Sequence, residues 1–117
     1  MRSAQSSLSV DVRPDEKDAG VVRLRLDGEL DITSSPLLHA VVEQVCQARR
    51  DPPCRRLVVD MSGVVFADAS GISPLLHGRA VLRHRGGTIE LRHCRRSVLR
   101  LIRLLDLADM VGLEDAG

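Results

Sequence analysis

Apolar and polar residues alternate along two stretches near the amino terminus. Leu8, Val10 and Val12 occupy every second position of the first stretch, and residues 22–26 repeat the alternation with valine and leucine. Alternation is typical of half-buried strands, because successive side chains point to opposite faces of a sheet. The charged segment 15–20 ends in glycine and has the length of a hairpin loop. The sequence therefore predicts two strands joined by a hairpin.

A helical spacing replaces the alternation after residue 34. Ser35 supplies a capping hydroxyl and Pro36 fits the first helical position. The apolar residues then recur at intervals of three and four, so that one helix face is buried: Leu38, Val41, Val42 and Val45. The proline pair at 52–53 stops this helix.

The second half of the chain repeats the order strand, helix, strand, helix. The continuous apolar run 57–59 predicts a central strand covered on both faces. A second helix is predicted to start near Ser70, which places Pro74 in its first turn, where proline is tolerated. It ends at the glycine pair 86–87. A strand over 88–91 and a third helix over 95–105 follow. The predicted buried face of that helix consists of Val98, Leu101, Ile102 and Leu105.

This order predicts an α/β fold, with a sheet of four to five mixed strands and three or more helices packed on it. A length of 117 residues fits one domain, 1–117. Residues 1–6 are expected to be a flexible amino terminus, and residues 111–114 to add a short edge strand. Hydrophobic residues make up 44% of the chain and charged residues 28%, which is typical of a globular protein.

Charge and composition narrow the function. The formal net charge is +1, and Phe66 is the only aromatic residue, so no base-stacking platform is present. The first residues lack the apolar core of a signal peptide, and no apolar run is long enough to cross a membrane. Three cysteines without CxxC spacing favour a reduced chain. We therefore expect a cytoplasmic protein with no direct contact to nucleic acid or membrane.

The motifs of common enzymes and cofactor sites are missing. The chain has neither a GxxxxGK[ST] nor a GxGxxG loop. Its four histidines show no HExxH pairing, so no metal site and no cofactor are predicted. Ser70 does not lie in a GxSxG elbow, which argues against a hydrolase. We expect a protein that is not an enzyme.

A basic stripe lies on the predicted third helix. Arg96, Arg100 and Arg103 recur at the spacing of one helix face, in a region where Glu90 is the only acid. Such a stripe is usually a solvated face. Contact with an acidic protein partner or with nucleic acid is the alternative reading.

Three segments carry a resemblance to a known family: GELD at 28–31, DMSGV at 60–64 and DASGI at 68–72. Their order and separation resemble those of the STAS domain family of anti-sigma factor antagonists. The resemblance implies that Ser70 is a regulatory phosphorylation site. It further implies that an anti-sigma factor acts as the serine kinase, and that a metal-dependent PP2C-type phosphatase reverses the modification. The unphosphorylated form would bind the anti-sigma factor and thereby free the sigma factor.

The same resemblance implies a docking face. Its residues are Asp31, Thr33, Asp68, Ala69, Ser70, Gly71 and Ile72. Simpler readings stay open at this point: Ser70 as a helix N-cap, and Asp31 and Asp68 as turn residues. Gly71 is expected to serve backbone shape and the close approach of a partner.

Departures from the family pattern leave rival hypotheses. Ala69 replaces the first serine of the usual pair, and the chain is short after residue 111. A reduced final element would leave surface less covered and favour a weak homodimer. The domain could also be a constitutive interaction module that phosphorylation does not regulate. A third hypothesis is a redox-gated binder that uses Cys46, Cys54 or Cys94.

Overall fold

The computed structural model describes residues 7–47 and 49–112. The expected flexible residues 1–6, and positions 113 and 114 of the expected edge strand, lie outside these ranges. Strands and helices follow one another in the predicted order. They are β1 (Leu8–Pro14), β2 (Val21–Leu30), α1 (Ser35–Val45), β3 (Arg56–Ala67), α2 (Ala69–His84), β4 (Thr88–Arg92), α3 (Arg96–Leu104) and a 3₁₀ turn at Ala108–Met110.

The four strands form one mixed sheet in the order β1-β2-β3-β4. The hairpin strands β1 and β2 are antiparallel, whereas β2, β3 and β4 run parallel. Each parallel connection passes through a helix, as parallel pairing requires. The predicted α/β class, with four mixed strands and three helices, is confirmed.

The alternation along the strands separates the two faces of the sheet. One face is apolar and buried, and on the central strands it presents Val22, Leu24, Leu57 and Val59. Helix α2 packs against β2, β3 and β4, α1 packs against α2, and α3 packs against β3. The opposite face carries Arg23, Arg25 and Asp60. The run 57–59 is buried throughout, as a central strand predicts.

Strand β3 is much longer than the predicted run 57–59. Its pairing with β2 shifts register twice, between Arg25 and Asp27 and between Gly28 and Glu29. Each shift opposes an extra β3 residue to β2, which is the geometry of a β-bulge. Bulges interrupt the regular alternation of buried and exposed positions. The pattern that predicts a strand therefore ends at residue 59, although β3 continues to Ala67.

Both helix starts differ in detail from the prediction. Helix α1 has Ser34 in the N-cap position, not the predicted Ser35. Helix α2 begins at Ala69 because Asp68 caps it, and Pro74 therefore lies in the second turn, not in the first. The predicted end is confirmed, since Gly86 adopts a positive φ of 76° after the last turn of α2.

The carboxyl-terminal region contains two further differences. Leu105 was predicted to be buried but is 36% exposed, because α3 ends at Leu104 and Leu105 does not continue the helical stripe. Val111 forms a single parallel bridge with Leu91 in place of an edge strand. Within the described ranges, no helix is both long and apolar enough to span a membrane.

Candidate functional site

The start of α2 is organised by the side chain of Asp68. Its Oδ1 atom accepts a hydrogen bond from the Gly71 backbone N–H at 3.0 Å and another from the Ser70 hydroxyl at 2.6 Å. These two hydrogen bonds hold the pKa of the Asp68 carboxyl below its usual value. The carboxylate is therefore ionised at neutral pH. Asp68, and not Ser70, is the N-cap of α2, which corrects the simpler reading of Ser70.

The Ser70 hydroxyl is therefore not the group that caps α2. Its side chain is partly exposed, and its hydroxyl donates to a carboxylate at the surface. Pro74 has no N–H, so it cannot donate to the Ser70 carbonyl as the fourth residue onward in a helix normally does. The Ser70 hydroxyl therefore bonds to a side chain at the surface and is not part of the helical hydrogen-bond ladder.

Asp31 builds the turn before α1. Its Oδ1 atom accepts from the backbone N–H groups of Thr33 and Ser34, each at 3.0 Å. The Asp31 backbone N–H in turn donates to the Ser34 hydroxyl at 3.0 Å, and that hydroxyl donates to the Glu29 carbonyl at 2.7 Å. Asp31 therefore fills the turn role that the sequence left open, and its second carboxylate oxygen points to no backbone donor in this turn.

Gly71 brings the two turns together. A Cβ atom on Gly71 would lie 2.0 Å from the Leu30 carbonyl carbon and 2.5 Å from the Asp31 backbone nitrogen. The Asp68 N–H also donates to the Leu30 carbonyl at 2.9 Å. The absence of a side chain at position 71 therefore permits a close approach within the chain. The expected role of Gly71 in backbone shape agrees with this contact, whereas its contact with a partner stays a prediction for a residue that is buried in the free chain.

The remaining residues of the expected face divide by burial. Thr33 and Ala69 are exposed, and Asp31 and Asp68 are partly exposed. Ile72 is completely buried and belongs to the hydrophobic core. Its side chain has no surface to offer a partner, because the inward side of the first α2 turn points into the sheet. The candidate face thus consists of Asp31, Thr33, Asp68, Ala69 and Ser70.

Three exposed apolar residues in these segments were not identified from the sequence. Ile32 is 76% exposed, Val65 52% and Phe66 49%. Ile32 follows Asp31, and Phe66 pairs with Glu29 in the sheet, two positions before Asp68. The second bulge in β3 makes Val65 and Phe66 consecutive exposed residues. The only available signal was that the sole aromatic residue adjoins the DASGI segment.

The arginine stripe is exposed, as the helical spacing predicts. Arg96, Arg100 and Arg103 line a groove of about 710 Å³ that also contains Leu99 and Leu104. Arg79 and Arg83, in contrast, are both paired with Asp109. Across residues 7–47 and 49–112, no carboxylate forms an ion pair with the three stripe arginines.

The cysteines occupy unreactive surroundings. Cys46 and Cys54 are buried, and Cys94 is half-buried. Burial raises the pKa of the Cys46 thiol to about 11, and burial also raises the pKa of Cys54. Thiols react as thiolates, so raised pKa values are typical of structural cysteines. This observation weighs against the redox-gated hypothesis.

The mixed four-stranded sheet, with a helix after each of its two central strands, places this chain among the small α/β domains. The sequence profile of the family described as "Mlab, STAS domain" matches residues 14–112. This chain therefore belongs to the STAS domain family.

Similarity to individual proteins is lower but extensive. An anti-sigma F factor antagonist of Paenibacillus polymyxa is 26% identical over 100 residues, which cover 86% of this chain and 83% of that protein. The crystal structure of an anti-sigma factor antagonist from Mycobacterium paratuberculosis superposes with a TM-score of 0.75 at 23% identity, covering 99% of this chain and 95% of that one.

A third relative is SpoIIAA, described as a Bacillus cell fate determinant, whose structure is known in two states. The unphosphorylated anti-sigma factor antagonist gives a TM-score of 0.73 at 19% identity and covers 92% of both chains. The phosphorylated form gives 0.67 at 17% identity, covering 92% of this chain and 96% of that one. At these identities the structural likeness shows the fold.

Proposed function

We propose that this chain is a cytoplasmic anti-sigma factor antagonist that switches partners through Ser70. The unphosphorylated form binds an anti-sigma factor that is also a serine kinase, and the sigma factor is released. Phosphorylation of Ser70 blocks this binding, and a PP2C-type phosphatase restores it. The chain is then a substrate of the kinase and not itself an enzyme. The name of the Paenibacillus relative supports this role.

One observation carries the proposal: the Ser70 hydroxyl is partly exposed and donates to the ionised Asp68 carboxylate at 2.6 Å. A kinase requires a hydroxyl that it can reach, and this one belongs to the surface. The same helix start is fixed rigidly by Asp68 and by the contact of Gly71 with Leu30. Modification at Ser70 would therefore alter the surface without requiring the domain to refold.

Electrostatics give the phosphate a direct effect. A phosphoserine lacks the O–H donor, and it carries about −1.5 to −2 charges at pH 7. The hydrogen bond to Asp68 is thus replaced by repulsion between two anions. At about 6 Å and an effective dielectric of 20 to 80, each pair of unit charges contributes about 0.7–2.8 kcal/mol. The backbone N–H groups of the helix start offset part of this, since they favour an anion.

The surrounding surface is suited to a protein partner. Phe66, Val65 and Ile32 expose apolar area in the segments next to Asp68 and Asp31. Aromatic side chains at the centre of an interface often contribute most of the binding free energy. A partner that covers Phe66 would also lie over or beside Ser70, and the phosphate would then be forced into that contact. A change of about 2.7 kcal/mol weakens binding a hundredfold.

The test measures phosphorylation and binding together. Protein isolated from its own host under phosphatase inhibition is examined by peptide mass spectrometry, and a single phosphate on Ser70 is expected. Calorimetry with the host anti-sigma factor should then show binding by Ser70→Ala and about hundredfold weaker binding by Ser70→Asp. Ser73→Asp is the matched control, because Ser73 is exposed on the same helix and should leave the affinity unchanged.

Two results would overturn the switch. Equal affinities of the Ser70→Ala and Ser70→Asp variants would favour the constitutive interaction module. A phosphate on Ser73 with none on Ser70 would show that Ser70 is not the modified residue. Unchanged binding after mild oxidation would separately dismiss the redox-gated hypothesis.

A further inference from the structure

Two helices bring three potential metal ligands together, away from the candidate face. His39 and Glu43 come from α1, and His77 comes from α2. One nitrogen or oxygen atom of each side chain lies within 4.8 Å of the others. His77 Nε2 already contacts Glu43 Oε1, and the rings of His39 and His77 have centroids 4.8 Å apart. His39 and Glu43 are exposed, and His77 is half-buried.

The fold explains why these side chains meet. His39 and Glu43 are four residues apart, a spacing that places side chains side by side on one helix face. Helix α2 approaches this face closely at Gly78, where a Cβ atom would lie 2.8 Å from Val42 Cγ1. His77 and Glu43 are the immediate sequence neighbours of these two contacting residues. The close crossing of the helices thus positions His77 against Glu43.

The types of donor restrict the ions that fit. Two imidazoles and one carboxylate suit a divalent transition metal, whereas Mg²⁺ and Ca²⁺ prefer sites made of oxygen atoms. Zinc sites with three protein ligands of this kind keep a fourth position for water. Tetrahedral ligands at zinc bond lengths are about 3.3 Å apart. Small rotations of exposed side chains would bring the three groups from their present spacing to that distance.

We propose that His39, Glu43 and His77 form a binding site for a divalent transition metal of the Zn²⁺ type, with water as the fourth ligand. The ring nitrogen of His77 that binds the metal must carry no proton, and the neutral imidazole then keeps its proton on the other ring nitrogen. This assignment departs from the expectation of no metal site. The sequence shows His39 and Glu43 four residues apart on the predicted α1. It gives no sign that His77, 34 residues beyond Glu43, completes the site.

A metal at this position would link α1 directly to α2. Helix α1 follows the Asp31 turn, and α2 begins beside Ser70. The ion would therefore hold together the two helices whose starts adjoin the two halves of the candidate face. Because it would bind the folded chain and not the unfolded one, it should raise the thermal midpoint Tm.

The test uses tag-free full-length protein with Zn²⁺ and Co²⁺ as probes. Zinc at about one hundred times its dissociation constant should raise Tm by roughly 10 °C. His39→Gln and His77→Gln should each remove most of that shift. Glu43→Gln should weaken binding at least tenfold. His84→Gln is the matched control, since His84 lies two turns further along α2, about 10 Å away, and should behave as the unchanged protein.

Cobalt identifies the ligands. Bound Co²⁺ should give visible absorption bands of a site made of nitrogen and oxygen donors, without the near-ultraviolet band of a thiolate ligand. A zinc shift that survives in both His39→Gln and His77→Gln, a thiolate band, or no shift at all would overturn the proposal. Melting each variant without metal separates loss of binding from loss of folding.

Discussion

The starts of α1 and α2 each contain an aspartate and a serine, but the two serines differ in burial and in hydrogen bonding. Each follows a central strand of the sheet, and in each an aspartate accepts hydrogen bonds from backbone N–H groups of the next turn. The serines differ. Ser34 is fully buried, and its hydroxyl joins Asp31 to Glu29. Ser70 is partly exposed, and its hydroxyl donates to the Asp68 side chain at the surface.

This difference separates a buried structural hydroxyl from one that lies at the surface. The Ser34 side chain is fully buried, and its hydroxyl bonds to the Asp31 N–H and the Glu29 carbonyl, so a phosphate there would disrupt the fold. Within the described part of the chain the Ser70 hydroxyl bonds to no backbone group, and the hydrogen bond by which Asp68 caps the Gly71 N–H does not involve it. An aspartate followed closely by serine therefore occurs at both helix starts. Only the burial of the hydroxyl and its hydrogen-bond partners distinguish the two serines.

The contact of Gly71 with Leu30 joins the two helix starts, and a substitution there should cause the largest loss of stability. Gly71→Ala places a Cβ atom 2.0 Å from the Leu30 carbonyl carbon, which is backbone and cannot rotate away. We expect a loss of about 3 kcal/mol in the free energy of unfolding, at the upper end of the costs of overpacking. Urea denaturation measures it. Ser73→Ala, at an exposed position of the same helix, should change stability by less than about 0.5 kcal/mol.

A loss below about 1 kcal/mol in Gly71→Ala would contradict this account. It would show that α2 can shift away from the end of β2 with little strain. The two turns would then be independent parts of the surface.

The order of strands and helices was predictable because periodicity reports burial over several residues at once. The spacing of Leu38, Val42 and Val45 survives in the folded α1, where all three are buried. Ends of elements were less predictable, since capping depends on single hydrogen bonds. Neither Ser35 nor Ser70 serves as the N-cap, although each has a suitable hydroxyl.

The candidate site was predictable only in part. The motif segments give Asp31, Asp68 and Ser70, but Ile72 turns inward, and Phe66 was not identified. The bulges in β3 decide which side chains face outward there, and bulges depend on pairing with β2. The pair of His39 with His77 likewise depends on the crossing of two helices. Contacts between distant segments leave little trace in one sequence.

The buried hydroxyl provides the second prediction. Ser34→Ala removes the acceptor of the Asp31 N–H and the donor to the Glu29 carbonyl. Leaving buried polar groups without partners costs about 1–3 kcal/mol, so we expect a loss of about 2 kcal/mol by urea denaturation. Ser70→Ala is the matched comparison, and it should lose less than about 0.5 kcal/mol, because water can replace an exposed hydroxyl.

Equal losses in the two serine variants would remove the distinction between the helix starts. A larger loss in Ser70→Ala would reverse it, and would make Ser70 a structural residue.

Asp68 gives the smallest expected effect, and it depends on pH. Hydrogen bonds from Ser70 and Gly71 lower the pKa of this carboxyl in the folded chain. The unfolded value is about 3.9. The stabilisation is therefore complete above that pH and is lost as the pH falls through the lower, folded pKa. Asp68→Ala should lose about 1 kcal/mol at pH 7, the usual cost of removing an N-cap.

The difference between Asp68→Ala and the unchanged chain should accordingly shrink below about pH 4, as measured by urea denaturation at a series of pH values. Asp68→Asn is the control, because its amide oxygen can still accept from the Gly71 N–H but does not titrate. Its stability relative to Asp68→Ala should not vary with pH. Ser70→Ala removes the strongest donor to the carboxylate, so in that background the folded pKa should lie closer to 3.9 and the pH-dependent part of the difference should be smaller. A difference that is constant from pH 7 to pH 3 would mean that the carboxylate charge adds nothing to the cap. The hydrogen bonds of the cap would then not favour the charged form of Asp68, which is the form that repels a phosphate on Ser70.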